Sequence, residues 1–541
     1  MSTETIGLLL PEAVLILAAT AIYLAGAFVP ARTGWSLAGA AGLLLAAFAL
    51  YLQGHGQVAA SGQTQGAATL SGPLVVDALS DAARWFVLAV GLVLMMITAR
   101  SLHGKQAAET VGSLLLMFAG LMLVSVAADL VLLFVALELI SIPTYIVLYL
   151  GRQDAANQES AIKYFFLSIL SSALLLYGFS FLYGATGSTG LEQIQRVLAG
   201  TSESAGILLI ARLALLLIVA GLGFRITVVP FHFYAPDVYE GTSHLNAALL
   251  AIVPKIAGLV ALLRIAGTAM PGLEQLAWQV LLILALVTMT VGNVVALWQN
   301  NVRRLMAYSS IAHAGYMLIG LAVGFATVNP DPRLRSLDGM GATLFYLAVY
   351  AMATVGVFAA LVYLSGERRQ VDTVDDLAGL SRTHPFMAAA IAIFMFSLTG
   401  LPPLAGFWGK LMLFTGALAV DPNGFQIGGP LAKWFLALAV IGVLNAAISA
   451  AYYLRIVAVM YFRPSLTAPR AEGGVGAALA TLVCAVLVVA AGLYPGPLVE
   501  QASVASRSAQ GALSHGHRAA RVAGRAVVTE VHKPGPIHRA P

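Results

Sequence analysis

From about residue 6 to residue 496 the chain is a succession of some fourteen apolar stretches, most near 20 residues long and almost free of charge. A helix rises about 1.5 Å per residue, so roughly 20 apolar residues match the ~30 Å hydrocarbon core of a bilayer. Apolar types make up 60% of the 541 residues, and Asp, Glu, Lys and Arg only 10%, against about 25% charged in soluble domains. A water-facing surface cannot be built from this composition. The expected fold is therefore an all-α polytopic membrane protein.

The stretches lie near 6–29, 35–52, 78–99, 110–127, 130–150, 161–183, 206–229, 245–267, 277–298, 304–325, 341–364, 386–417, 432–462 and 476–496, here numbered as spans 1 to 14. The run at 6–29 is longer than a signal-peptide core and lacks a basic leader, which predicts a retained first helix. Spans 7 and 12 are interrupted, by Gly223-Phe-Arg-Ile-Thr-Val-Val-Pro-Phe-His232 and by Thr399-Gly-Leu-Pro-Pro-Leu-Ala-Gly-Phe-Trp-Gly-Lys410. Proline removes a backbone donor, and bare backbone at membrane depth persists only where protein or water satisfies it. If spans 4–8 and 9–13 are two five-helix units, both breaks fall on the fourth helix of a unit, as in transporters built from inverted repeats. The expected organisation is 1–109 for spans 1–3, 110–267 for the first repeat, 268–463 for the second, 464–500 for the last span, and 501–541 for a basic, disordered tail.

Charge is distributed unevenly. From Ala505 onward there are six basic residues (Arg507, Arg518, Arg521, Arg525, Lys533, Arg539) and one acidic residue, Glu530, so this segment alone carries the net +5. The body is neutral and carries no aromatic-basic binding surface, which sets nucleic acid aside as a partner. Odd-numbered loops hold Arg32, Arg100, Lys105, Arg152, Arg303, Arg304, Arg368, Arg369, Arg382, Arg463 and Arg470, whereas even-numbered loops hold Arg196, Arg264, Arg333, Arg335 and Lys433. The positive-inside tendency then makes the odd loops cytoplasmic and both termini non-cytoplasmic. The basic tail would lie on the unfavoured side.

Cys484 is the single cysteine, so a disulfide framework, a thiolate zinc site and a cysteine-held iron–sulfur cluster within this chain are excluded. The sequence has no Gly-rich dinucleotide fingerprint in a strand–turn–helix setting, no phosphate-binding loop and no histidine pair placed for haem. No cofactor or metal is expected in this chain. The His515-Gly-His517 pair offers two lone ligands, too few for a metal site.

What remains is a set of ionisable residues at membrane depth, each costing at least about 2.5 kcal/mol on insertion scales. Glu138 is central in span 5 with no cation within a helical turn, so its partner must come from another helix. Lys255 is about ten residues into span 8 and Lys410 follows the break of span 12. Lys163 is near the start of span 6, where its ammonium can also reach the interface. A lysine can exchange its proton, and moving a carboxylate toward or away from it switches the form that is held. Arg225, on span 7, stays protonated and can only set the potential or pair with Glu138. His232 and His313 titrate near neutral pH and are possible relay groups. The pattern reads as a proton relay with Glu138 as electrostatic switch; fixed structural ion pairs are the alternative.

Val229-Pro-Phe-His232, Pro236-Asp-Val-Tyr-Glu-Gly241, the run from Asn301 to Tyr316 and Gly400-Leu-Pro-Pro-Leu-Ala-Gly-Phe-Trp-Gly-Lys410 together resemble the antiporter-like membrane subunits of respiratory complex I, over about residues 6–496. A lysine after Gly-Phe-x-Gly is similar to the subunit-N branch, whereas the M branch usually has glutamate there. The resemblance implies a proton-translocating subunit of NADH:quinone oxidoreductase in the bacterial plasma membrane, with Glu138, Lys163, Lys255 and Lys410 at the family's key ionisable positions. It also implies that NADH, FMN, iron–sulfur clusters and quinone are bound by other subunits, and that the partners are further membrane subunits and a peripheral redox arm. Two departures stand out: Arg225 replaces the usual lysine, and Thr242-Ser-His244 replaces the usual small residue, proline and threonine. A multisubunit cation/proton antiporter, or a structural subunit with an inactive channel, are the competing readings.

Overall fold

The computed structural model describes residues 7–29, 34–61, 69–101, 106–152, 154–200, 205–268, 272–327, 338–366, 370–420, 430–464 and 471–509. It is all-helical apart from a short hairpin of β1 (Thr69–Ser71) and β2 (Leu74–Val76). In chain order the helices are α1 (Leu10–Gly26), α2 (Gly34–Ser61), α3 (Ala78–Ser101), α4 (Ala107–Val126), α5 (Leu130–Leu150), α6 (Ala155–Thr186), α7 (Leu191–Gly200), α8 (Ala205–Ile226), α9 (Tyr234–Gly241), α10 (His244–Thr268), α11 (Glu274–Ala296), α12 (Val302–Ala326) and α13 (Gly339–Tyr363). There follow a 3₁₀ turn, Val374–Leu377, then α14 (Leu380–Thr383), α15 (Pro385–Thr399), α16 (Ala405–Leu418), α17 (Pro430–Phe462), α18 (Gly474–Leu493) and a helix over 496–509, α19. Among the described residues, twelve helices are long and apolar enough to cross a membrane. The stretch expected at 6–29 carries the shorter α1, and the one at 386–417 is divided between α15 and α16.

These helices are apolar around their whole circumference, so each faces either lipid or the protein interior. Small residues decide which. A Cβ on Gly292 of α11 would stand 2.6 Å from the Ala312 nitrogen, and one on Gly315 of α12 would stand 2.5 Å from the Met289 nitrogen. The two backbones therefore touch through reciprocal glycines, as small residues permit in bilayers. Gly178 and Gly221 join α6 to α8 in the same reciprocal way. The most completely enclosed helices are α10, α12, α13 and α4, while α2, α6, α17 and α18 present much of their surface outward. The outward side chains are Leu, Phe, Val and Trp, among them Leu44, Phe166, Trp434 and Val486, suited to hydrocarbon.

Both interruptions expected from the prolines are present. After α8 the chain leaves the helix at Thr227, whose φ is 66°, and turns through Pro230 into the short α9. The freed backbone groups are taken up locally: Tyr234 Oη donates to the Phe224 carbonyl (3.0 Å), and the Val229 N–H donates to Thr288 Oγ1 on α11 (3.1 Å). The second break turns at Gly400, with φ 92°. There a Cβ on Gly406 would lie 1.7 Å from the Ser397 carbonyl oxygen, so α16 starts directly against the end of α15.

Two expectations need correction. Arg264, counted as a loop cation, is buried in α10 and forks onto Asp77 at 2.7 and 2.6 Å while donating to the Ser125 carbonyl; the pair ties the start of α3 to α10. The tail expected to be disordered from residue 501 is helical through 509, because Ala502, Ala505 and Ala509 bury a small-residue face. Residues 510–541, with His515 and His517, lie outside the described residues.

Candidate functional site

Glu138 projects from α5 toward α8 and α6. Arg225 Nη2 stands 3.2 Å from Glu138 Oε1, and Ser172 Oγ donates to the same oxygen at 2.5 Å. Arg225 also donates to Ser141 Oγ (2.9 Å), to the Leu137 carbonyl (3.3 Å) and to Ser172 Oγ (3.3 Å). The expected partner from another helix is thus an arginine, held in a hydroxyl cage. Serine suits this position because a helical serine adds a donor at the cost of very little volume.

Lys255 lies one turn before Gly258 on α10. A Cβ at Gly258 would meet Ile226 Cγ1 at 2.6 Å and Arg225 Cβ at 3.4 Å, so the bare glycine lets α10 lie against the Arg225 segment of α8. Fully buried, Lys255 donates to Ser310 Oγ on α12 and lies 5.6 Å from the Tyr350 ring centroid. Tyr350 Oη donates to the same Ser310 oxygen at 2.8 Å.

One turn beyond Ser310, His313 carries the line forward. Its Nδ1 is 2.6 Å from Tyr346 Oη and its Nε2 is 2.9 Å from Tyr453 Oη; Tyr453 also bonds Ser309. A neutral imidazole can donate to one of these hydroxyls and accept from the other, so His313 can carry hydrogen bonds on both sides. Its ring packs at 5.1 Å from Tyr350 and 5.7 Å from Tyr346, between the two lysine sites.

Lys410 Nζ donates to the carbonyls of Leu398 (2.9 Å) and Thr399 (2.8 Å) and lies 4.9 Å from the Tyr316 ring centroid. The ammonium therefore caps the carbonyls that the break of α15 leaves free. The two cations do not occupy matching places: Arg225 precedes its break, whereas Lys410 follows its own. Among the described residues no carboxylate pairs with Lys255 or Lys410; their neighbours are hydroxyls, carbonyls and aromatic faces.

Lys163 stands apart from this line. Its side chain is 40% exposed and pairs with Glu159 at 2.6 Å and Asp237 at 3.2 Å, while Arg304 bridges Asp237 (2.8 Å) and Glu240 (2.7 Å). This is the interfacial placement that a long side chain near a helix end allows. His232 is half-buried beside the first break, with Nδ1 enclosed and unpartnered. The described residues contain no group of three His, Cys, Asp or Glu side chains placed for a metal.

Several residues of the line were not singled out in the sequence: Ser141, Ser172, Ser310, Tyr346, Tyr350 and Tyr453. Ser310 lies inside the Asn301–Tyr316 motif, three residues before His313, and that helical spacing was the available signal. The tyrosines come from α13 and α17, and no local pattern ties them to His313.

The profile of the family described as NADH:quinone oxidoreductase/Mrp antiporter, transmembrane, matches residues 127–429, which contain all of these ionisable positions. NADH-quinone oxidoreductase subunit N of Paramagnetospirillum magneticum is 35% identical over 81% of this chain and 85% of its own length. NADH-quinone oxidoreductase subunit N 1 of Rhizobium meliloti is 35% identical over 94% of this chain and 100% of its own. A chain of respiratory complex I from Thermus thermophilus, solved with bound aureothin, superposes with a TM-score of 0.72 at 32% identity, covering 91% of this chain and 98% of that one. With its enclosed lysine line, its paired helix breaks and these likenesses, the chain belongs to the NADH:quinone oxidoreductase/Mrp antiporter transmembrane family, among relatives named subunit N.

Proposed function

We propose that this chain is the proton-translocating subunit N of a bacterial NADH:quinone oxidoreductase. On this reading it is part of an oxidoreductase that also translocates protons. The observation that carries it is the polar line across the interior: Glu138 and Arg225, then Lys255 with Ser310 and Tyr350, then His313 between Tyr346 and Tyr453, then Lys410. A line of exchangeable groups enclosed by apolar helices favours proton transfer over structural bracing. Glu138 acts as the switch, with Arg225 as its fixed counter-charge. Lys255, His313 and Lys410 pass the proton. Lys163 and His232 serve its supply from the flanks.

The architecture on this reading has fourteen spans, counting α1 and the two broken helices, with inverted repeats over spans 4–8 and 9–13. Both termini lie on the non-cytoplasmic side of the plasma membrane. NADH, FMN, iron–sulfur clusters and quinone belong to partner subunits, and the chain docks on other membrane subunits connected to a peripheral redox arm. The family description also covers Mrp antiporters, so cation/proton exchange without redox partners is the second reading. Co-purification with redox subunits separates the two. The permanent charge of Arg225 is the one feature that favours an inactive channel.

The deciding experiment is Lys255→Met in the assembled complex, with NADH-driven quinone reduction and proton uptake measured together. Normal assembly with collapsed coupled activity supports the relay. Wild-type rates for both overturn it.

A further inference from the structure

We infer that Tyr239 is the proton-access residue of Lys255, linking it through Ser310 to the charged outer side of α9. The inference rests on the relay reading above and adds to it a route of supply.

A serine hydroxyl has two lone pairs and one proton. Both lone pairs of Ser310 are used, one by Lys255 Nζ and one by Tyr350 Oη. Its own proton therefore needs an acceptor. Tyr239, 1% exposed on α9, faces Ser310 and Tyr350. Its hydroxyl is fully enclosed, and Ser310 is the side chain within hydrogen-bonding reach of it, though not aligned for a full bond. Nearly every buried hydroxyl in a folded protein has a partner, and the Ser310 hydroxyl, whose own proton is otherwise uncommitted, is the one that Tyr239 faces, so the two hydroxyls are placed to exchange a proton.

Position supports the same reading. Asp237 and Glu240 flank Tyr239 within one turn of α9, and they hold Lys163 and Arg304 in the half-exposed ion network. The short helix thus carries carboxylates outward and two tyrosine hydroxyls inward, that of Tyr234 committed to the Phe224 carbonyl and that of Tyr239 facing Ser310. It is held firmly, because a Cβ at Gly241 would stand 2.0 Å from Ser160 Oγ and 2.6 Å from the Ala156 carbonyl on α6. The titratable groups facing Tyr239 are the phenols Tyr350, Tyr164 and Tyr234, and the nearest cation on the route is Lys255 itself, beyond Ser310.

The transfer balances as a concerted hop. Once Lys255 is neutral and no longer donates, a lone pair of Ser310 is free; the Tyr239 oxygen then takes a proton from a water arriving from the Asp237 and Glu240 side, whose hydroxide returns to bulk water, as it releases its own proton to Ser310. Ser310 releases its proton to the neutral Lys255 amine, which becomes ammonium. The O–H bonds of water, Tyr239 and Ser310 break, and O–H bonds on Tyr239 and Ser310 and an N–H bond on Lys255 form, so no tyrosinate accumulates.

The test uses the assembled complex carrying Tyr239→Phe, with Lys255→Met alongside. NADH-driven proton uptake is measured across pH. Removing the access hydroxyl should slow uptake by about tenfold or more at alkaline pH, where protons are scarce, and little at acid pH. Wild-type uptake at every pH, or an equal loss at every pH as a packing defect gives, overturns the inference while a dead Lys255→Met keeps the relay. Wild-type uptake in both variants overturns the relay itself. If Tyr239→Phe does not assemble, Ser310→Ala cuts the same route at its next atom; the same alkaline loss is then expected, and wild-type uptake overturns the proposal.

Discussion

The Arg225 guanidinium and the Glu138 carboxylate meet at 3.2 Å between α8 and α5, so the cation before the first helix break is committed to an acid. The cation after the second break is committed to backbone carbonyls instead. These two forms of compensation give different expectations for substitution.

Arg225→Met leaves the partly exposed Glu138 with Ser172 but without its charge partner, a loss of about 1.5–3 kcal/mol as for a hydrogen bond to a charged group. The expected outcome is a lower yield of assembled complex and a clear fall in thermal midpoint. Arg225→Lys keeps an ammonium near Glu138 but drops the fork to Ser141 and Leu137, at about 1 kcal/mol. It should assemble normally, which native gels and thermal unfolding measure.

Lys410→Met and Lys255→Met should differ in stability. Removing Lys410 leaves the Leu398 and Thr399 carbonyls without their ammonium donor, at about 1–3 kcal/mol each. Removing Lys255 costs one bond to Ser310, which still accepts from Tyr350. Thermal unfolding of the two assembled variants should place Lys410→Met lower; equal midpoints would contradict the capping role.

Gly258→Ala brings a methyl group to 2.6 Å from Ile226 Cγ1. Overpacking of this kind costs about 1–3 kcal/mol, and it separates α10 from α8, moving Lys255 away from Arg225. Gly184→Ala is the control, since nothing lies within 4 Å of its Cβ. The first should lower both the thermal midpoint and the pumping rate, the second neither.

The Asp77–Arg264 pair carries a pH signature. Burial pushes the Asp77 carboxyl up, but the Arg264 guanidinium and the hydrogen bonds of Ser80 and Ser508 outweigh it and hold the group below its ordinary range. A carboxyl lowered on folding contributes stability that is complete above its unfolded value, about 3.9, and is lost as pH falls through the folded value. Asp77→Asn should therefore destabilise at neutral pH and flatten the acid limb of the stability curve. An unchanged acid limb would show that the pair carries no linkage.

How legible this chain is depends on range. Glu138, Lys255 and Lys410 stand out in the sequence because a charge inside a 20-residue apolar run has no local explanation. The breaks stand out because proline cannot continue a hydrogen-bond ladder. The partners do not stand out. Ser172 and Ser141 are ordinary helical residues until α5, α6 and α8 converge on Glu138, and Tyr346 and Tyr453 are 33 and 140 residues from the histidine they flank. Lys163 and Arg264 show the limit most plainly. The first sits in a span and is half-exposed, and the second was assigned to a loop and is buried against Asp77.

The sequence alone determined that this chain folds as apolar helices for a bilayer, where two of them break, and which charges must be compensated, because insertion into hydrocarbon penalises every unpaired polar group at the level of single segments. Only the tertiary structure decided what compensates each charge: an arginine for Glu138, hydroxyls for Lys255, and the carbonyls of a broken helix for Lys410. Those partners come from different helices, and which helices approach closely is set by packing at Gly258, Gly292, Gly315 and Gly406, contacts between residues far apart in the chain that no local pattern encodes.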